Sequence, residues 1–404
     1  MGVLSLSIKG VRNLKEQSLS FHEKYNFFVG PNGSGKTSLL ESIYLLGTSR
    51  SFRTHLYNKV VHHDEQQLVL VGSIIENLSD DQKSVDTEDL PATQSNTQMG
   101  IKKEKDGTTQ IKIDGLSCRH SAELARHLPL QLYYPDSFKI IDSGPKIRRE
   151  VLDWGVFHVK QDYFKVWAQY QRVLKQRNAW LRGADNGHMD SGTNFLSKWN
   201  SRQGICPWDK PLSDYAIMIH QMRLDYVEKL LPIMNKIITD FFSESFETEL
   251  SIRYFKGWGH HADEDSSEHL LESLTTALGK DRERDLKMGY THHGPHKADI
   301  IIQHNGRLIK DVFSRGQQKL MIIAIKLAQG ILLSEAAEKE CVYLLDDICA
   351  EFDEQHLEKV MNYLSKIPGQ VFLTGVNEKV FLSIPWFNKG KVFHVKHGDV
   401  QSHD

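Results

Sequence analysis

Eight consecutive residues near the N-terminus, Gly30, Pro31, Asn32, Gly33, Ser34, Gly35, Lys36 and Thr37, have the spacing G-x-x-x-x-G-K-[ST]. The glycines let the backbone curl until successive N–H groups point inward at phosphate oxygens. A helix that follows adds the positive end of its dipole to the same anion. Lys36 is then placed to neutralise the β- and γ-phosphates of ATP, and the Thr37 hydroxyl to ligand Mg²⁺. The flanks fit this chemistry: the apolar run Asn26-Phe-Phe-Val29 leads in, and the helical run Ser38–Leu46 leads out.

A second constellation lies near the other end of the chain. Asp346 closes the apolar run Val342–Leu345, the place for a carboxylate that orients Mg²⁺ or its water shell. Asp347 follows and is expected on the opposite side of an extended chain, as the candidate catalytic residue that polarises an attacking water. That role is what a resemblance to the ATP-binding-cassette pattern implies, in which the position is usually glutamate. Aspartate is one methylene shorter, so slow turnover is expected.

Upstream, Ser314, Arg315, Gly316 and Gln317 open a helical run, with Ser314 and Gln317 at capping-box spacing. Alone this is an ordinary helix start. Beside a phosphate loop and an acidic strand end, it resembles the signature motif of ATP-binding cassettes, which meets the γ-phosphate held by a second subunit. That resemblance implies a homodimer with two ATPs at its interface. Ile348–Asp353 resembles the cassette D-loop, and Thr374 stands where a switch histidine is usual. Either Gln131 or Asp136 is open as the residue of the cassette's glutamine loop.

The elements that must hold these groups are legible as three short apolar runs, Asn26–Val29, Cys341–Leu345 and Gln370–Thr374. Each has the continuous apolar character of a parallel strand covered on both faces. The first two are more than 300 residues apart, which requires an inserted lobe. Tyr163–Leu181 and Leu212–Phe242 carry apolar residues at helical spacing, the second broken or kinked at Pro232. Neither sustains heptads. Gly183–Pro211 reads as loop, and the polar, acidic stretch Glu76–Gly100 as a disordered loop between two strands. The expected fold is α/β: a P-loop ATP-binding-cassette head with a mostly helical inserted second lobe and no long coiled coil. Its parts are 1–138 and 286–404 (head) and 139–285 (lobe).

Bulk properties narrow the classes. The 404 residues exceed one core, and 40% hydrophobic with 25% charged residues is the composition of a globular chain. No run approaches the roughly 18–20 apolar residues of a membrane span, so no membrane partner is expected, and the alternating N-terminus is no signal peptide. Cys118, Cys206, Cys341 and Cys349 form no CxxC pair, which suits a reducing cytoplasm. Net charge is −2, so the whole chain has no electrostatic footprint for nucleic acid. Residues 139–229 do carry 15 Lys/Arg against 10 Asp/Glu. His292, His293 and His296, with His260 and His261, lack a cysteine to complete a zinc pattern and are expected to have a structural or surface role. Gly144–Arg149 fits a phosphate contact and a helix start equally.

Seven blocks together resemble the RecF family of bacterial DNA-repair ATPases. They are GPNGSGKTSLLESIYLLG, SRSFRT (Ser49–Thr54), GPKIRREVLDW (Gly144–Trp154), VLKQRN (Val173–Asn178), HHGPHKAD (His292–Asp299), SRGQQK and LLDDICAEFD. The resemblance implies weak ATPase activity and ATP-dependent dimerisation. It also implies binding to single-stranded, gapped or junction DNA, and loading of the recombinase RecA with RecO and RecR in recombinational repair and the SOS response. The segment Glu76–Gly100 is longer than the family's usual loop, and no role carries over to it. The competing expectation is another cassette ATPase without a DNA role, such as a transporter subunit; a motor and a non-enzymatic scaffold are further rivals.

Overall fold

The computed structural model describes residues 1–76, 95–183, 206–242, 250–259 and 266–403. They fall into two units. The first comprises Met1–Phe138, Ile233–Phe246 and Phe313–Asp404, and the second Lys139–Pro232 and Glu247–Val312.

In the first unit, alternating inward residues build an antiparallel sheet and continuous apolar runs build a parallel one. The chain opens with β1 (Gly2–Lys9), β2 (Gln17–Ser20), β3 (Tyr25–Val29), β4 (Gln67–Glu76), β5 (Ser95–Glu104), β6 (Thr109–Ile113), β7 (Leu116–Cys118) and β8 (Leu130–Tyr133). The second unit contributes β9 (Leu250–Phe255), β10 (Asp299–His304) and β11 (Arg307–Leu308). The chain then returns for β12 (Val342–Leu345), β13 (Val371–Gly375), β14 (Lys391–Lys396) and β15 (Asp399–His403).

One sheet has the order β2-β1-β4-β5-β6-β7, with antiparallel neighbours throughout. The other has the order β15-β14-β3-β13-β12-β8, parallel from β14 to β8. The three runs expected as central strands are β3, β12 and β13, and every residue of each is buried. The helix Lys36–Thr48 shares one core with strands of both sheets: Leu39, Leu40, Ile43, Leu45 and Leu46 cluster with Leu6, Leu70, Met99, Leu344 and Phe372. A helix apolar on nearly all sides belongs between two layers, and that placement fixes the phosphate loop at its N-terminus.

The second unit is mostly helical, with helices Pro145–Val159, Tyr163–Arg182, Ser267–Lys280 and Arg282–Met288. It also holds the three-stranded sheet β11-β10-β9. The register Asp299↔Phe255 to His304↔Leu250 carries the chain into this unit as far as Val312, beyond the expected boundary at 285. Residues Ile233–Phe246 belong to the first unit, and the helix Asp209–Phe242 runs through Pro232 without breaking.

Other expectations need correction. Residues 95–100 are strand: Ser95 pairs with Glu76 and Met99 with Gly72, because Thr97, Met99 and Ile101 point into the core. The rest of the acidic stretch, 77–94, and most of Gly183–Pro211 lie outside the described residues, while 209–211 begin a helix. Among the described residues one helix, Arg315–Ala337, is long and apolar enough to cross a membrane by length and composition. Its most apolar window is 67% buried, which is how a core helix passes the same test.

Candidate nucleotide site

The loop Gly30–Thr37 hangs between β3 and its helix. Gly30 N–H donates to Gly375 O at 3.1 Å, tying the loop's start to the end of neighbouring β13. A Cβ at Gly30 would sit 2.2 Å from Val395 O, so no larger residue fits. Gly33 (φ 78°) and Gly35 (φ 122°) take left-handed conformations open to glycine. Gly35 caps the helix without a side-chain hydrogen bond, so the first N–H groups face the loop. Lys36 Nζ, 5% exposed, donates to Gly30 O at 2.8 Å and Pro31 O at 3.2 Å, which holds the ammonium inside the loop.

Residues outside the motif brace this cradle. Asn13 Nδ2 donates to Gly33 O and Ser34 O, and Ser38 Oγ donates to Asn13 Oδ1. Gly398 N–H donates to Ser34 O at 2.8 Å. One turn along the helix, fully buried Glu41 receives Arg12 Nε and Nη2, both at 2.8 Å, and the Ser51 hydroxyl, with Arg53 Nη1 at 3.7 Å. Ser38, Glu41, Ser51 and Arg53 lie in the quoted family-like blocks, but no motif announces these contacts, and Arg12, Asn13 and Gly398 lie outside every block. Only the burial of an acid in an apolar helix, Leu-Leu-Glu41-Ser-Ile, signals that a cation must lie near.

The acidic pair comes to the same place. Thr37 Oγ1 lies 3.0 Å from both Asp346 carboxylate oxygens. Thr374 Oγ1, at the end of β13, lies 2.9 Å from Asp346 Oδ1 and 3.3 Å from Asp347 Oδ1, and accepts the Asp347 N–H at 2.8 Å. Burial raises the Asp346 carboxyl above the usual range, and the Asp347 charge adds to this, against the two threonine hydroxyls and Lys36. Asp347 is not on an extended chain. The strand ends at Leu345, and Asp347 takes a left-handed conformation (φ 50°) as N-cap of the short helix Ile348–Glu351. Thr374, notable in sequence only for the histidine missing there, thus joins both carboxylates.

Ser314 caps the helix Arg315–Ala337 with a complete capping box: its hydroxyl accepts Gln317 N–H, and Gln317 Oε1 accepts Ser314 N–H. Ser314, Arg315 and Gly316 are exposed, and a Cβ at Gly316 would meet nothing within 4 Å. Bonds from this helix end run to Phe138, whose ring lies 4.8 Å from the Arg315 guanidinium, to Phe313 O from Gln318 Nε2, and to Glu351 from Lys319. Gln131 is buried in β8 against Gln329 and Lys326, whereas Asp136 is exposed in the turn Pro135–Phe138.

The remaining candidates belong to the second unit. Arg148 forms a two-pronged pair with Asp299, and Arg149 donates to Ala298 O, so both arginines of Gly144–Arg149 bond inward. His292 pairs with Asp285, His293 with Asp281, and His296 with Tyr170 and Thr291 O. These partners give the three histidines separate structural places; His260 and His261 lie outside the described residues.

The half-buried hydroxyl of Thr37 and the buried carboxylate of Asp346 are the hard oxygen donors that Mg²⁺ takes. A loop of inward N–H groups holding an ammonium suits a polyphosphate. The family described as RecF/RecN/SMC N terminal domain matches residues 3–399. The chain is 36% identical over 401 residues to the DNA replication and repair protein RecF of Vibrio campbellii, covering 99% of this chain and 100% of the relative. It is 37% identical over 402 residues to the protein of that name from Pseudomonas aeruginosa, covering 99% and 97%. A solved structure described as the recombination mediator protein RecF-ATP in the RecFOR pathway superimposes with TM-score 0.80 at 26% identity, covering 100% of this chain and 98% of that one. An Smc head bound to the C-winged helix domain of ScpA shares the fold, with TM-score 0.55 at 14% identity over 100% and 97% of the two chains.

Proposed function

The chain belongs to the RecF family, and from that membership we propose that it is an ATP-dependent DNA-binding protein of replication and recombinational repair. Its head is of the ATP-binding-cassette type, and the observation that carries the reading is the meeting of Thr37, Asp346, Asp347 and Thr374 at the mouth of the phosphate loop. Thr37 and Asp346 hold Mg²⁺, which neutralises phosphate charge when bound. Lys36 turns from the loop carbonyls to the β- and γ-phosphates. Asp347 accepts hydrogen bonding from the attacking water, and Thr374 fixes its backbone. With a carboxylate one methylene shorter than glutamate, hydrolysis is slow and serves to reset the protein.

The exposed Ser314–Gln317 end meets the γ-phosphate held by a second copy, so ATP and not ADP brings two copies together. Closure places two modest basic surfaces on one DNA, which gives avidity that a chain of net charge −2 lacks. By family membership, and because one similar structure is of a RecFOR-pathway mediator, the DNA is gapped or a single/double-strand junction. The partners are RecO and RecR in the cytoplasm, and the outcome is loading of RecA. A transporter role is disfavoured by the second unit, Lys139–Pro232 and Glu247–Val312, which contains its own sheet.

The test is the affinity for gapped duplex DNA with ATP, with ADP and without nucleotide, across a salt titration. Strongest binding with ATP and a steep loss with salt are expected, since each phosphate contact adds about one unit of log–log slope. Equal affinity in all three states removes the ATP-dependent DNA role.

A further inference from the structure

One ion pair joins the exposed helix end to the acidic turn. Lys319 Nζ lies 2.6 Å from Glu351 Oε2, and the side chains are only 26% and 19% exposed. Lys319 stands one turn into the helix that Ser314 caps. Glu351 is the last residue of the four-residue helix that Asp347 caps. Only one helical turn, one ion pair and one more turn therefore separate Ser314 from Asp347.

A single turn of helix does not hold its own shape in water, because nucleation costs more than one hydrogen bond returns. The turn Asp347–Glu351 takes its position from the buried side chain of Ile348, 0% exposed, and from what fastens its ends. At its start, Thr374 Oγ1 accepts the Asp347 N–H; at its end stands Lys319. Asp347 is also left-handed at φ 50°, which costs a non-glycine residue about 1–2 kcal/mol and persists only where neighbours impose it. The bonds from Arg315 to the Phe138 ring and from Gln318 to Phe313 O fix the helix end without reaching the turn. The rings of Tyr133 and Phe352 meet beside it at a tilt of 34° with centroids 6.1 Å apart, an apolar contact that gives support and no direction along the chain.

We propose that Lys319 is a positioning residue which, through Glu351, sets the Asp347 turn according to whether a second copy is seated on the Ser314–Gly316 end. The pair is a strut: docking at the helix end moves Lys319, and Lys319 moves the turn. Dimerisation thereby licenses hydrolysis in the same subunit that offers its helix end, in addition to any contact across the interface. This rests on the ATP-dimer reading above.

The test uses the full chain with Lys319→Glu, Glu351→Lys and the double exchange, together with the neutral Lys319→Met in case a reversed charge impairs folding. Melting midpoints, ATPase kcat and KM, and ATP-dependent dimerisation by ultracentrifugation are measured on each. Each single variant should lose about tenfold in kcat with KM for ATP within about twofold, and the double exchange should recover most of it, as expected of a coupled pair. Single variants with wild-type kcat overturn the strut, as does a double exchange no better than its worse parent. Ser314→Arg run alongside separates the two readings. If it dimerises and turns over normally, the ATP-dimer reading fails; if it is inactive while the Lys319 variants are not, only the strut fails.

Discussion

Thr37 Oγ1 lies 3.0 Å from both carboxylate oxygens of Asp346, although 309 positions separate the two residues. The parallel neighbours β3, β13 and β12 bring them together. The Asp346 carboxylate has hydroxyl partners in Thr37 and Thr374, and burial lifts its pKa. A carboxyl raised in the folded state opposes folding where it is ionised, and the opposition fades as pH falls through the raised value. Asp346→Asn should therefore stabilise the nucleotide-free protein at neutral pH. The same change should abolish Mg²⁺-dependent hydrolysis. Denaturant titration beside an ATPase assay measures both, and a less stable variant contradicts the assignment.

Lys36→Ala should weaken ATP binding by about 30- to 100-fold, the loss of a charge-assisted contact worth ~2–3 kcal/mol. Fluorescent-nucleotide titration reads it directly. Affinity near that of the wild type would remove the loop from the account.

Asp347→Asn separates binding from chemistry. Mg²⁺ and phosphate contacts survive through Thr37, Asp346 and Lys36, so the nucleotide Kd should stay within about threefold. The rate should fall by about 100-fold or more, because the amide cannot take up the water's proton. Normal turnover would show that another group does this work.

Stability of the second unit should fall with acid through His296. Burial holds its pKa down at about 4, with the Thr291 carbonyl only partly offsetting this. The unfolded chain titrates near 6.5. A depressed histidine binds its proton later folded than unfolded, so stability falls as pH drops from about 6.5 and levels below about 4. The full effect is on the order of 3 kcal/mol. In His296→Gln the dependence of stability on pH over that window should flatten. An unchanged slope would mean that other groups carry the acid sensitivity.

Sequence made the parts with fixed spacing or period legible. The spacing of Gly30–Thr37, the short apolar runs that became β3, β12 and β13, and the Ser314/Gln317 capping box are each patterns within a few consecutive residues, and the strands and the cap stand in the structure. What escaped depends on pairing between distant residues. The strand Ser95–Glu104 hid its inward Thr97, Met99 and Ile101 among polar neighbours. The second unit's extension to Val312 follows from β10 pairing with β9 across the chain. Glu41 with Arg12, Asn13 with the loop carbonyls, and Thr374 between two aspartates are likewise tertiary contacts that no local pattern announces. Asp347 lost its expected extended geometry for the same reason: its conformation is set by Thr374, 27 residues away.

The most direct test is the association state of the wild type and of Ser314→Arg by analytical ultracentrifugation with Mg²⁺ and either ATP or ADP. Ser314 is exposed, and its hydroxyl caps its own helix, so monomer binding of ATP should survive a bulky cation there. The wild type should dimerise with ATP and remain monomeric with ADP. Ser314→Arg should bind ATP with near wild-type affinity yet stay monomeric in both, and lose hydrolysis and ATP-stimulated DNA binding together. A Ser314→Arg protein that dimerises with ATP and hydrolyses it at the wild-type rate would reduce Ser314 to an ordinary helix cap and contradict the two-subunit clamp.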